Sequence, residues 1–341
     1  MPELRHDPLT DRWVIIAENR SDRPQGFSRV QTAAPMTTCP FCAGHEEQTP
    51  HELLAFGRHS SDSDQPGWQV RVVPNKYPVL ERQSSDRSAS GDEMFACQPA
   101  VGMHEVIIES PRHLTRTTEL TTAEFCEVLR AYRHRFQAAR EDGSLVYGLA
   151  FKNVGPDAGA TLEHLHSQFV ALPVLPTIMR QELAKIEQHA RDGRDCIVCA
   201  MMAREVEQQV RVVERSDNFL VFCPYASVCP HETWIAPIEH ASDFDRMPDT
   251  LTEELSELLL RLLARLDHVA DRPAHNYLVN TAPFDSAVTE RYHWRVGILP
   301  RITTIAGFEW ATGCCINPVA PETAADQLRS AGFSTNFTQE S

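Results

Sequence analysis

The segment His104-Glu-Val-Ile-Ile-Glu-Ser-Pro-Arg-His113 returns as His231-Glu-Thr-Trp-Ile-Ala-Pro-Ile-Glu-His240, with His-Glu first, Ile fifth and His last in both. The centre of each decamer is apolar or β-branched, as a buried strand requires. Its surroundings recur too. A Cys-x-x-Cys pair precedes each decamer, Cys39–Cys42 and Cys196–Cys199, and a Thr-x-x-Glu sequence follows each, at Thr121 and Thr250. Such a sequence reads as a capping box, in which hydroxyl and carboxylate satisfy the free N–H groups of a starting helix. Behind the first box Phe125, Val128, Leu129, Tyr132 and Phe136 fall on one helical face; behind the second, Leu255, Leu258, Leu259, Leu262 and Leu266 do so. Strand-like runs follow at 145–153 and 276–280. Each half then reaches another histidine, His164 or His293, 51 or 53 positions beyond its decamer. Chance supplies one such match, not the ordered set, so the chain is a duplication.

That duplication sets the expected fold: α+β, two copies of one unit, with antiparallel strands and one long helix per half. The N-terminal half is expected over 1–171, a connecting segment over 172–194 and the C-terminal half over 195–325. Leu172-Pro-Val-Leu-Pro176 carries two prolines and excludes a central strand or helix interior there. Residues 82–96, Ser-rich and charged, read as a mobile loop, and the last dozen residues as frayed.

No apolar run is long enough to span a bilayer and the opening residues lack a signal-peptide core, so a cytoplasmic location is expected. In a reducing compartment ten cysteines are not a disulfide framework. Six of them read as buried small hydrophobes, and the two Cys-x-x-Cys pairs ask for a metal. Zinc takes four thiolate and imidazole ligands in a tetrahedron. The repeat supplies two such sets, Cys39, Cys42, His113 and His164, then Cys196, Cys199, His240 and His293. Both are closed, which favours structural ions over metal catalysis. The alternative is that the cysteine pairs are buried and unligated.

The densest constellation is Asn153-Val-Gly-Pro-Asp-Ala-Gly-Ala-Thr-Leu-Glu-His164-Leu-His166-Ser-Gln168. Gly155 and Gly159 allow backbone amides close to a phosphate. In an extended run, residues 164, 166 and 168 share one face. With zinc on His164, His166 is held rigidly with its ring free. A neutral imidazole, reference pKa about 6.5, is a competent nucleophile toward phosphorus. Gln168 can donate to phosphoryl oxygens but cannot titrate, which favours a phosphate acceptor over water. The alternatives are that His166 is a metal ligand or a structural core residue. With 32 basic against 47 acidic side chains the net charge is −15, which disfavours nucleic-acid and membrane partners.

His164-Leu-His166-Ser-Gln168, Cys39-Pro-Phe-Cys42, Ser110-Pro-Arg-His113 and the opening Leu4-Arg-His-Asp-Pro-Leu-Thr-Asp-Arg-Trp13 together resemble the galactose-1-phosphate uridylyltransferase branch of the histidine-triad superfamily. The resemblance reaches about residue 325. It implies duplicated histidine-triad-like units, ping-pong transfer through a nucleotidyl-His166 intermediate, and Arg20, Asn75, Asn153, Gly159, Thr161 and Gln168 around the nucleotide. Nucleotide sugars, sugar 1-phosphates or phosphate would be its small-molecule partners, and a homodimer its assembly.

Some members carry a further metal on a glutamate and three C-terminal histidines. Glu182 matches that glutamate, but Asn280, Gly297 and Leu299 replace the histidines, so Glu182 is expected on a helix surface. The second Cys-x-x-Cys, Tyr292-His-Trp294 and the stretch 307–318 instead look like the two-zinc plant-type ADP-glucose phosphorylase. That likeness places Glu309 and Asn317 near the sugar phosphate. The leading expectation is a UDP-glucose–hexose-1-phosphate uridylyltransferase. The alternatives are an ADP-glucose phosphorylase and, from another class, a non-catalytic zinc-bound nucleotide-binding protein.

Overall fold

The computed structural model describes residues 2–20, 38–58, 62–82, 94–95, 97–284 and 289–331. Residues 83–93 and 96 of the expected mobile loop, and the tail beyond 331, lie outside this set. Strands β1 (Glu3–His6) and β2 (Trp13–Ile16) open the chain. The first half then runs β3 (Leu54–Phe56), β4 (Val70–Pro74), β5 (Met103–Ile108), α1 (Thr122–Glu141), β6 (Tyr147–Val154) and β7 (His166–Leu172). Helices α2 (Thr177–Arg191) and α3 (Ile197–Gln208) follow. The second half repeats the plan as β8 (Val212–Arg215), β9 (Phe219–Phe222), β10 (Thr233–Pro237), α4 (Asp249–Val269), β11 (His275–Asn280) and β12 (Arg295–Pro300). The chain closes with α5 (Gly307–Thr312), β13 (Cys315–Asn317) and α6 (Pro321–Ser330).

Ten strands form one sheet in the order β3-β4-β5-β7-β6-β11-β12-β10-β9-β8. Each half contributes five in the same internal order, and the halves meet where β6 pairs antiparallel with β11, Phe151 opposite Leu278. Every pairing in this sheet is antiparallel. A second, three-stranded sheet, β1-β2-β13, includes a parallel pair, β2 with β13. The expected duplicated α+β fold with one long helix per half is thus the observed one, the small sheet excepted from the antiparallel rule.

Helices α1 and α4 lie side by side on one face, and all ten apolar positions read from their periodicity are buried there. Thr121 caps α1 as expected, its hydroxyl accepting from Glu124 N at 3.2 Å. The second box does not form. Helix α4 begins at Asp249, behind Pro248 as its N-cap, which takes Thr250 into the first turn. Proline fixes an extended entry there, and Asp249 supplies the carboxylate that suits a helix N-terminus.

Beneath the centre of the sheet Lys152 pairs with Glu109, and Tyr132 donates to Glu109 Oε1 at 3.3 Å. Tyr132 also meets Tyr277 at 2.5 Å, so one buried polar chain links α1, the residue after β5, β6 and β11. On the opposite face α2 and α3 cover the second half. The first half leaves that face to the site.

Candidate active site and metal centres

Cys39 and Cys42 sit on a turn, His113 follows β5 and His164 immediately precedes β7. The turn and the two strand ends bring the four ligand atoms within 4.8 Å of one another. Cys39 Sγ lies 3.5 Å and Cys42 Sγ 3.6 Å from His164 Nδ1, with Cys42 Sγ 3.4 Å from His113 Nδ1. A tetrahedral zinc with Zn–S about 2.3 Å and Zn–N about 2.05 Å has an S···N edge of about 3.6 Å. The second set, Cys196, Cys199, His240 and His293, has S···N separations of 3.3, 3.4 and 3.8 Å.

The rings are turned correctly as well. His164 Nε2 meets Ser110 O at 2.8 Å, His293 Nε2 meets Pro237 O at 2.9 Å and His240 Nε2 meets Glu290 O at 2.8 Å. A carbonyl can only accept, so these Nε2 atoms carry the hydrogen and each Nδ1 lone pair faces the sulfurs. Burial holds His164 down to about 4, against the opposing pull of the Ser110 carbonyl, so the ring is neutral. Burial, then the Cys39 sulfur, pushes Cys42 up to about 11; a divalent cation is the charge that lets both sulfurs ionise. The residues therefore fit metal ions at both places.

His166 is two residues beyond His164 of the first Cys/His cluster and only 8% exposed. Its Nδ1 meets the His164 carbonyl at 2.8 Å, which assigns the hydrogen to Nδ1 and leaves Nε2 bare. Burial lowers its pKa and that hydrogen bond opposes the shift. Phe41, between the two cysteines of the turn, packs against the His166 ring with centroids 5.3 Å apart. The first Cys/His cluster thus holds the nucleophile candidate from two sides, through His164 and through Phe41.

Gln168 is next on the same face, its Oε1 2.8 Å from His104 Nε2. Asn75, just past β4, places Nδ2 3.0 Å from the same nitrogen. Asn153 on β6 accepts at Oδ1 from Asn276 Nδ2 at 2.7 Å, and Asn276 Oδ1 accepts from Arg301 Nε at 2.6 Å. Asn153 Nδ2 is thereby turned toward Gly159, whose φ of +86° suits glycine. Thr161 is exposed in the turn between Gly159 and His164.

Arg20, Glu309 and Asn317 stand elsewhere. Arg20 is exposed just after β2, beside the small sheet. Glu309 is half-buried on α5 and accepts from Ala306 N at 3.0 Å, capping its own helix. Asn317 is fully buried, donating to Ser227 O at 3.0 Å and Cys229 O at 3.1 Å.

Glu182 corrects its surface reading. It is 3% exposed and accepts from Arg295 Nη2 at 2.6 Å and Tyr292 OH at 3.1 Å. By the repeat, Arg295 is the counterpart of His166 and Gly297 that of Gln168. The second half therefore has a Cys/His cluster with Arg295 and Gly297 where the first has His166 and Gln168, and α2 brings Glu182 onto Arg295. Periodicity held a sign of this: Met179, Glu182, Leu183 and Ile186 fall on one helical face, and all four are buried.

Residues 1–176 match the family described as galactose-1-phosphate uridyl transferase, N-terminal domain. An ADP-glucose phosphorylase of Arabidopsis thaliana is 34% identical over 337 residues, 96% of this chain and 92% of the relative. The chain belongs to the galactose-1-phosphate uridylyltransferase family. It is an enzyme of that family. A galactose-1-phosphate uridylyltransferase of Thermotoga maritima is 26% identical, with 96% of this chain and 98% of the relative covered. The crystal structure of the Arabidopsis ADP-glucose phosphorylase with bound ADP-glucose superimposes with a TM-score of 0.85, at 33% identity, covering 98% of this chain and all of that one.

Proposed function

We propose that this enzyme moves a nucleoside monophosphate from a nucleotide sugar through a covalent bond to His166, with ADP-glucose as donor and phosphate as acceptor. The observation that carries the transfer step is the bare, inward-held Nε2 of His166, fixed by the Nδ1 contact to the His164 carbonyl. Its lone pair forms the bond to the α-phosphorus as the P–O bond to the sugar 1-phosphate breaks and its electrons leave with that oxygen. The imidazole then carries positive charge, which the His164 carbonyl stabilises through Nδ1–H. Phosphate attacks the same phosphorus, the N–P bond breaks and the nucleoside diphosphate leaves. Gln168 and Asn153 donate to the phosphoryl oxygens, and Asn75, Gly159 and Thr161 complete the nucleotide wall.

Two bound zinc ions would neutralise the cysteine thiolates and cross-link the segments that carry them. The adenylyl donor is favoured over the uridylyl one by the greater identity to the Arabidopsis enzyme and by a complete second Cys/His cluster. Arg20 and Glu309 lie apart from the His166 strand within one chain. A homodimer that carries them to the partner's site is the economical reading, and exposed Phe308 and Trp310 on α5 suit such an interface.

Intact-protein mass spectrometry after incubation with ADP-glucose, and separately UDP-glucose, tests the proposal. A gain of one AMP, absent from His166→Ala, is expected. A UMP adduct alone would move the donor to uracil, and no adduct with either would refute the nucleotidyl-histidine reading.

A further inference from the structure

We propose that His104 is a positioning residue that sets the polarity of the Gln168 side-chain amide, so that Gln168 presents its N–H groups toward the phosphoryl oxygens at His166, beside an Asn75 amide that the Tyr77 backbone orients the same way. The inference rests on the nucleotidyl-His166 reading.

The placement follows from the sheet. Strands β5 and β7 pair antiparallel with Val106 opposite Gln168 and His104 opposite Val170. Side chains alternate along a strand, so His104, His166 and Gln168 share one face. The backbone N–H of Val79 meets His104 Nδ1 at 3.0 Å. A backbone amide only donates, so Nδ1 must be bare and the single hydrogen of the neutral ring sits on Nε2. That Nε2–H donates to Gln168 Oε1 at 2.8 Å. With its oxygen held inward, Gln168 directs its NH2 outward.

Asn75 is fixed from its other end. Tyr77 N donates to Asn75 Oδ1 at 2.8 Å, so Nδ2 is the atom lying 3.0 Å from His104 Nε2. Both nitrogens are donors and cannot satisfy one another. The Asn75 NH2 therefore calls for an acceptor, and a phosphoryl oxygen has the required chemistry.

The second half supplies the comparison. His231 is the counterpart of His104 and also grips a glutamine oxygen, Gln327 Oε1, at 2.7 Å. Its Nδ1, however, is buried and has no hydrogen-bond partner among the described residues, and Gly297 replaces Gln168. The backbone clamp that sets the ring's tautomer occurs in the half that carries the nucleophile. Without His104, Gln168 is free to turn its oxygen toward the phosphoryl group. That change costs transition-state stabilisation more than ground-state binding, because negative charge on the oxygens peaks during transfer.

The test is the single-turnover rate of AMP transfer from ADP-glucose to the protein, and of UMP from UDP-glucose, in four variants and the parent. His104→Phe removes the donor, and a fall of about 10- to 100-fold in rate with little change in half-saturation is expected. His104→Gln restores a donor and should recover most of the rate, which separates positioning from a folding defect. In a Gln168→Ala background, adding His104→Phe should change the rate by less than about 2-fold, since the lever has lost its load. A parental rate in His104→Phe, no recovery in His104→Gln, or fully multiplicative losses in the double variant would overturn the proposal while leaving the nucleotidyl-enzyme intact. Absence of any adduct on the parent protein would overturn both.

Discussion

A buried acid outside the site makes a distinct statement about single residues. Glu232 begins β10's approach, accepts from Val228 N at 2.6 Å and Trp234 Nε1 at 3.0 Å, and is 7% exposed. Burial, with Asp7 adding to it and Arg12 opposing, raises its pKa from 4.5 to about 7. The folded chain therefore keeps a proton there that the unfolded chain has released above about 4.5. Its contribution to stability falls as pH rises through that window, by about 3 kcal/mol once both are passed. Glu232→Gln should remove this decline. Urea midpoints of variant and parent at pH 6 and 8 check it, since their difference must grow at the higher pH. Residue types and spacing picked out both Cys/His sets, whose side-chain atoms the fold brings within 4.8 Å of one another, and put His166 and Gln168 on one strand face, because such groupings depend on few atoms at fixed offsets. They did not reveal that His104 holds Gln168 or that Asn276 holds Asn153. Those contacts cross strands whose pairing has no local signal, although alternation along β5 already placed His104 on the right face.

Among the elements, α2 is fastened to β12 by charge. The Glu182–Arg295 pair is almost wholly buried, and the Arg295 guanidinium also lies 4.5 Å from the Trp234 ring centroid. Removing one partner leaves an uncompensated buried charge, at a cost of about 3–5 kcal/mol. Glu182→Ala is expected to lower the unfolding midpoint by that measure, whereas a change below about 1 kcal/mol would mean the pair is not a fastener. The Cys/His clusters act at the same scale, tying a turn or helix start to two strand ends. A strong chelator should lower the melting temperature, with metal content followed by elemental analysis; an unchanged curve at zero metal would refute ligation. Helical periodicity located α1 and α4 because their apolar stripes are unbroken. It missed the start of α4, where a proline outranked the hydroxyl, and misjudged Glu182, whose charge hid the stripe it belongs to.

For the whole molecule, the duplication has produced one sheet rather than two, and its halves have diverged in chemistry while keeping their geometry. The proposed homodimer can be checked by size-exclusion chromatography with light scattering. Twice the mass of 38.4 kDa is expected, and Trp310→Glu, at a side chain 78% exposed, should return the protein to a single chain. A monomer in the parent would leave Arg20 and Glu309 without a site. None of the helices in the described residues is long and apolar enough to cross a membrane.

The small sheet carries a consequence for synthesis. Val14 on β2 pairs with Cys315 on β13, and Arg5 reaches Glu322 at 3.0 Å. Ribosomes add about 5–20 residues per second, so β2 emerges about 15–60 s before its neighbour exists. For that interval β2 is paired with β1 on one edge only, and Val14 and Ile16, buried in the finished protein, lack the Cys315 and Ala320 side chains that pack with them. The nascent chain thus holds an apolar strand with one open edge until β13 has been made. Chaperone demand should peak late in translation, and shortening the wait by circular permutation should lessen it.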